Sequence, residues 1–102
     1  MTNTGLNKDV IEKIKGVFAL HSEVDEAVLY GSRAKGTYKP ASDIDLTLIG
    51  KSLNLTIQQK IENELDDLLL PYKFDLSIHH QITNKDLIAH IERVGKPFFV
   101  KH

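Results

Sequence analysis

The sequence predicts an α+β fold, in which a mixed β-sheet has helices packed on one face. Three segments carry apolar residues at helical spacing. Three others are short apolar runs or alternate between apolar and polar residues, as strands do. Their order is α-β-β-α-β-α with an optional strand at the end. In a protein with a parallel α/β sheet, strands and helices would alternate regularly along the chain. Helices on one face leave the other face free for polar side chains.

The three predicted helices begin near residues that favour helix N-termini. They cover residues 6–20, 54–70 and 83–94, with boundaries that are approximate. Asn7 is the expected N-cap of the first helix and Thr83 that of the third. Thr56 and Gln59 fit a capping box in the second helix, which Pro71 then ends.

The predicted strands place acidic side chains on one face of the sheet. They cover residues 27–30, 43–49 and 72–78, with 98–101 as the optional fourth strand. In the second strand, Asp43, Asp45 and Thr47 share one face and apolar residues occupy the other. The third strand presents Asp75 on its polar face in the same way. We therefore expect three carboxylates on the polar face of the sheet.

Length and composition restrict the classes of protein to which this chain can belong. The 102 residues are enough for one domain, taken as residues 1–102. The hydrophobic fraction of 41% is ordinary for a soluble globular protein, and with a net charge of -1 nothing in the overall charge points to nucleic-acid binding. The absence of cysteine excludes disulfides and thiolate metal sites. Neither a signal peptide nor an apolar run of roughly 20 residues is present, so we expect a cytoplasmic protein without a membrane segment.

The loop after the first strand has the features of a phosphate-binding turn. Gly31 stands at the strand end, where a glycine lets the backbone approach a ligand closely. Ser32 adds a hydroxyl group, and the N–H groups of the following turn are donors for phosphate oxygens. Arg33 and Lys35 add positive charge. A P-loop is excluded, because Gly36 is not followed by the required Lys-Ser/Thr pair.

The aspartates after this loop are suited to metal binding. Asp43 and Asp45 point the same way from a strand, roughly 6 to 7 Å apart along the backbone. Asp75 on a neighbouring strand can complete a three-carboxylate site for one or two Mg²⁺ ions. Taken alone, the two aspartates of the second strand are more typical of an ordinary solvated face.

The composite pattern is more specific than its parts. It consists of Gly31-Ser32, ten intervening residues, Asp43-Ile44-Asp45 and a third aspartate in an apolar strand. This pattern resembles the polymerase β-like nucleotidyltransferase superfamily. The form G-S-R-A-x-G…S-D-I-D-L resembles in particular its minimal nucleotidyltransferase (MNT) group. The resemblance covers essentially the whole chain and implies a mixed sheet with flanking helices.

The resemblance implies a role for each residue of the pattern. Asp43 and Asp45 would bind both catalytic Mg²⁺ ions. Asp75 would be the third carboxylate, which binds the catalytic metal and helps to deprotonate the acceptor hydroxyl. Gly31 and Ser32 would hold the β- and γ-phosphates of ATP or another nucleoside triphosphate.

Residues that flank the pattern have weaker assignments. Arg33 and Ser42 lie where members of the family often place further phosphate contacts. The adjacent residues His79 and His80 would point to opposite faces of a strand, so they make a poor metal site. We expect His90 to be a surface residue.

The resemblance also implies a partner. Larger members of the superfamily bind the acceptor with a second, helical domain, which this sequence does not contain. The MNT group resembles one half of two-component systems whose other half is a helical HEPN toxin. The implied function is therefore Mg²⁺-dependent transfer of AMP from ATP to a hydroxyl of a HEPN partner, which makes this chain an antitoxin. Two alternatives are a nucleotide-binding antitoxin that acts only by complex formation and an enzyme that modifies a small molecule or an RNA end.

Overall fold

The computed structural model describes residues 4–101 and shows an α+β fold with a mixed four-stranded sheet, as predicted. The elements are α1 (Lys8–Ala19), β1 (Glu26–Tyr30), α2 (Gly31–Lys35), β2 (Ile44–Ile49), α3 (Leu55–Asp66), β3 (Phe74–Ile78), a 3₁₀ turn (His79–Gln81), α4 (Lys85–Val94) and β4 (Lys96–Val100). Residues 1–3 and 102 of the predicted domain lie outside the described residues.

The strand order in the sheet is β3-β2-β1-β4. The central strand β1 is antiparallel to both of its neighbours, and β2 is parallel to β3. Tyr30 pairs in register with Asp45, and Asp45 pairs with Asp75. Because residues paired in register project from the same face, these three side chains form a row across the sheet.

The hydrophobic core lies between the sheet and the helices α1 and α3. Leu29 and Leu46, on the face opposite to the aspartates, are fully buried against Ile14 of α1 and Ile61 of α3 in one cluster. This arrangement matches the expectation of helices packed on one face. The helix α4 does not belong to this helical layer. It contacts β1 and α2 from the side of the sheet on which the ring of Tyr30 lies.

Two of the three predicted helix caps differ from those in the structure. Asn7 caps α1 as predicted, with its side chain accepting a hydrogen bond from the Val10 N–H at 2.9 Å. The capping box at Thr56 was wrong, because Asn54 has the extended backbone of an N-cap and accepts from the Ile57 N–H. Thr83 was also wrong, since Asn84 caps α4.

The element ends moved by a few residues from the predicted positions. The helix α3 ends at Asp66, before the predicted end near residue 70, and Leu69 in the following turn has a positive φ of 55°. The optional strand is real and begins at Lys96, directly after α4. Among the described residues, no helix combines the length and the apolar character that crossing a membrane requires.

Candidate active site

Three carboxylates meet at the end of the sheet where β1 ends and where β2 and β3 begin. Asp45 projects from β2 beside Asp75 of β3, and Asp43 lies in the loop directly before β2. Asp43 and Asp75 are exposed, whereas Asp45 is half-buried. Burial raises the pKa of Asp45 to about 6, and the negative charges of Asp75 and Asp43 add to this rise. The three predicted carboxylates therefore form one electrostatic group centred on Asp45.

The chemistry of this group fits a hard cation. Within residues 4–101, no three histidine, aspartate or glutamate side chains are arranged around a common point as the ligands of an ion would be. The donors are nevertheless of the type that Mg²⁺ prefers, because all three are carboxylates: Asp45 and Asp75 on one face of the sheet and Asp43 in the loop directly before β2. A divalent cation there would also relieve the repulsion that raises the pKa of Asp45. The carboxylates therefore fit the metal in chemical type, whereas their side chains in this structure do not surround a common point.

Gly31 begins the turn after β1 and packs against this carboxylate group. Its φ is +74°, a backbone conformation that disfavours other residues. A β-carbon at this position would overlap the Oδ2 atom of Asp45. On its other side, the Gly31 N–H donates a hydrogen bond to Nε2 of His90 at 3.2 Å. The backbone of Gly31 is therefore held between Asp45 and His90.

Ser32 lies in the tight turn that follows. This turn is the short helix α2, and Gly36 ends it in the left-handed conformation with φ +82°. The Ser32 carbonyl accepts hydrogen bonds from the N–H groups of Gly36 and Thr37. The main chain of Ser32 is thereby fixed at the start of α2, next to the Gly31–Asp45 contact, and its side chain is partly exposed.

The guanidinium group of Arg33 is turned into the protein. Arg33 is only 1% exposed, and its five-donor group bonds to main-chain carbonyls. It donates to Thr4 O at 2.9 Å, to Pro40 O at 3.2 Å and, through two nitrogens, to Ser42 O at 3.0 and 3.2 Å. The side chain that the resemblance places among the phosphate contacts thus joins the start of α2 to the loop before β2.

Two aromatic rings enclose the same guanidinium group. The central carbon of Arg33 lies 5.2 Å from the ring centre of Tyr38 and 5.0 Å from that of Tyr72. Both distances are within the range of cation–π attraction. Tyr38 belongs to the loop before β2 and Tyr72 to the segment before β3, so Arg33 links the segments that carry Asp43 and Asp75.

Ser42 also acts within the loop. Its hydroxyl accepts a hydrogen bond from the Lys39 N–H at 2.8 Å, and its carbonyl accepts from Arg33. These contacts fix the chain immediately before Asp43. The structure therefore places Ser42 where its main contacts orient a predicted metal ligand.

His90 and Tyr30 are parts of the site that sequence reasoning missed. The two rings meet edge to face, with centres 6.1 Å apart and planes at 81°. Tyr30 is buried, and this burial raises the pKa of its hydroxyl, to which the charges of Asp75 and Asp45 contribute. The signal for His90 was its place in α4, three residues after Leu87 and four before Val94, on the apolar side of the helix.

The adjacent histidines do not belong to this site. His79 and His80 form the 3₁₀ turn after β3. They line a cavity of about 320 Å³ with Ile49, Gly50 and Lys51, at the far end of β2 from Asp45. They were expected on a strand with opposite orientations, whereas the structure places them in this turn, away from the carboxylates.

The family follows from a match over most of the chain. The model of the family described as polymerase beta, nucleotidyltransferase, matches residues 12–102. The chain belongs to this nucleotidyltransferase family. A search of curated proteins found no match.

Solved structures with the same fold support this assignment. A toxin–antitoxin complex with AMP-PNP contains a chain with a TM-score of 0.71 and 21% identity, over 95% of this chain and 76% of that one. A complex of a tri-AMPylated Shewanella oneidensis HEPN toxin with an MNT antitoxin gives a TM-score of 0.69 and 16% identity, over 94% of this chain and 74% of that one. At these identities the likeness shows that the nucleotidyltransferase fold is shared.

Proposed function

We propose that this protein is a Mg²⁺-dependent nucleotidyltransferase that transfers AMP from ATP to a hydroxyl group of a partner protein. The packing of Gly31 against the Asp45 carboxylate is the observation that carries the proposal. It brings the turn suited to phosphates into contact with a carboxylate suited to a metal. Transfer of a nucleotidyl group requires both at one place, because the triphosphate and the ion act together.

Each residue of the site has a part in the proposed reaction. The turn at Gly31 and Ser32 binds the β- and γ-phosphates, and Asp43, Asp45 and Asp75 hold the metal. When bound, Mg²⁺ neutralises charge on the phosphates and lowers the pKa of the attacking hydroxyl. The hydroxyl oxygen forms a bond to the α-phosphorus as the bond to the bridging oxygen breaks, and pyrophosphate leaves. Asp75, which is exposed, accepts the proton of the hydroxyl.

The proposed partner is a helical HEPN toxin, which this protein inactivates as an antitoxin. Structures with the same fold include an MNT antitoxin in complex with an AMPylated HEPN toxin. The exposure of Asp43 and Asp75 also supports an acceptor that comes from another molecule, because the carboxylates are open to solvent on the acceptor side.

Mass spectrometry of the partner tests this proposal. The protein is incubated with ATP, Mg²⁺ and a purified HEPN protein chosen as candidate partner, and the HEPN protein is then weighed. We expect a mass gain of one or more AMP groups, which is lost in the Asp43→Asn, Asp45→Asn double variant. The control is the double variant Asp66→Asn, Asp67→Asn, which removes two exposed carboxylates near the end of α3.

Two results would contradict the proposal in different ways. The absence of any AMP gain with the wild-type protein would exclude transfer to this partner. Retention of the gain in the Asp43→Asn, Asp45→Asn variant would exclude these residues as the metal site. Neutralisation of the toxin by that variant, without transfer, would favour the antitoxin that acts by complex formation alone.

A further inference from the structure

His90 contacts the start of the phosphate turn from a separate element of the fold. Its Nε2 atom accepts the hydrogen bond of the Gly31 N–H at 3.2 Å. An imidazole nitrogen accepts a hydrogen bond only when it carries no proton, so the ring must be neutral with its proton on Nδ1. The ring is also held edge to face against Tyr30. His90 therefore has one contact with the main chain and one with a side chain.

The Gly31 N–H depends on this acceptor. The last register pair between β1 and β2 is Tyr30 with Asp45, so Gly31 lies beyond the end of the ladder. Gly31 is partly buried, and a buried N–H group without a partner is unfavourable. With the positive φ of Gly31, its N–H points to His90 of α4. His90 is the acceptor that this orientation requires.

The peptide before Gly31 has little freedom as a result. On one side the α-carbon of Gly31 packs against the Asp45 carboxylate. On the other side the Gly31 N–H donates its hydrogen bond to His90. Loss of the His90 bond would let this peptide rotate, since no side chain at Gly31 restrains it. Ser32 follows directly, so the orientation of its N–H and hydroxyl depends on the same peptide.

We propose that His90 is a positioning residue for nucleotide binding, which acts by accepting the hydrogen bond of Gly31. In this role His90 does not touch the phosphates. It fixes the Tyr30–Gly31 peptide so that the turn at Ser32 is already oriented for the phosphate groups of a nucleoside triphosphate. The inference rests on the proposed function, because it concerns the nucleotide site of that reaction.

Two substitutions separate the two contacts of His90. His90→Phe keeps a flat ring against Tyr30 and removes the acceptor. His90→Gln keeps an acceptor at a similar reach and removes the ring. His90→Leu serves as a second variant without an acceptor in case the phenylalanine variant does not fold. His80→Phe is the matched control, because His80 is exposed at the other end of the sheet.

The first measurement needs no nucleotide. Amide hydrogen exchange of Gly31 reports whether its N–H is bonded. We expect protection in the wild-type protein, in His90→Gln and in His80→Phe, and exchange that is about 10-fold faster in His90→Phe. Equal protection in His90→Phe would overturn the inference, since the N–H would not depend on His90.

The second measurement is calorimetric binding of a non-hydrolysable ATP analogue with Mg²⁺. We expect the dissociation constant to rise about 10-fold in His90→Phe and to stay near the wild-type value in His90→Gln and His80→Phe. Unchanged or tighter binding by His90→Phe would overturn the inference, as would an equal loss in His90→Gln, which would point to the ring. Absence of binding by the wild-type protein would instead overturn the proposed function, whereas the exchange experiment would still decide whether His90 holds Gly31.

Discussion

The α-carbon of Gly31 packs directly against the carboxylate of Asp45, without space for a side chain between them. Gly31 follows β1 and Asp45 belongs to β2, and the two strands pair in register up to Tyr30 and Asp45. The contact therefore fixes the distance between the phosphate turn and the carboxylate group. Any side chain at position 31 would act on both parts of the site at once.

Gly31→Ala is expected to abolish nucleotide binding and to lower stability. The new methyl group would overlap Asp45, and the positive φ of +74° would strain any residue other than glycine, which costs about 1 to 2 kcal/mol. We expect the affinity for a nucleoside triphosphate with Mg²⁺ to fall by about 100-fold or more, as measured by calorimetry. Thermal unfolding gives the change in stability.

Gly36→Ala is the matched control for this substitution. Gly36 has a similar φ of +82°, but a β-carbon there would have no atom within 4 Å. It carries the same conformational penalty without the overlap with the carboxylate. We expect Gly36→Ala to lower the melting temperature while binding is reduced much less, and equal losses of binding in the two variants would contradict the role of the Gly31–Asp45 contact.

The charge of Asp45 is expected to destabilise the metal-free protein at neutral pH. Its pKa is raised to about 6 in the folded state, above that of an unfolded aspartate. The folded state therefore binds the proton more tightly, so this group's contribution to stability is largest at low pH and is lost as the pH rises through about 6. In EDTA at about pH 7.5, Asp45→Asn should therefore raise the melting temperature. The rise should be about 4 to 8 °C if solvent screening reduces the destabilisation caused by the charge to about 1 kcal/mol.

The comparison at lower pH completes this test. At about pH 5, Asp45 is mostly protonated in the folded protein, so the difference between Asp45→Asn and the wild-type protein should shrink. Mg²⁺ should stabilise the wild-type protein at neutral pH and should not stabilise Asp45→Asn. The exposed Asp67→Asn serves as control. A gain in stability that is the same at both pH values would argue against a raised pKa at Asp45.

The face on which Asp45 and Asp75 lie was predictable from the sequence, whereas Asp43 was expected in the strand and lies in the loop just before it. Strand alternation is a local property, so Asp43, Asp45 and Asp75 were assigned to the polar face without knowledge of the fold. Asp75 was expected on a neighbouring strand, but the parallel pairing of β2 with β3 and the register that places Asp45 beside Asp75 were not predicted. The register between strands is determined by packing over the whole sheet.

Contacts between distant segments were not predictable in the same way. Arg33 has the sequence context of a phosphate ligand, but its acceptors are carbonyl groups at Thr4, Pro40 and Ser42, which no periodicity reveals. His90 was expected to be a surface residue, and it is partly buried. Its position on the inner side of α4 becomes meaningful only when Gly31 is known to lie opposite.

The sequence also did not identify which of several neighbouring residues caps α3, and the cap seen in the structure can be tested. Asn54→Ala should lower stability by about 1 kcal/mol, because the Asn54 side chain accepts the hydrogen bond of the Ile57 N–H at 3.0 Å. Thr56→Ala, at the second residue of α3, should change stability by no more than about 0.5 kcal/mol. Urea unfolding of both variants measures the difference. A larger loss in Thr56→Ala would support the capping box that the sequence suggested.

Arg33→Lys is expected to destabilise the protein nearly as much as Arg33→Met. A lysine retains the charge, but it lacks the flat, forked donor group that reaches three carbonyl groups and lies between the rings of Tyr38 and Tyr72. We expect each variant to lose about 2 to 4 kcal/mol of stability, and proteolysis within residues 36–43 to become faster. Lys35→Met is the control, because it removes an exposed positive charge from the same helix.

If Arg33→Lys were as stable as the wild-type protein and only its nucleotide affinity fell, Arg33 would be a phosphate ligand after all. If both properties fell together in the lysine and methionine variants, while Lys35→Met kept its stability, the guanidinium group would act through the loop that carries Asp43.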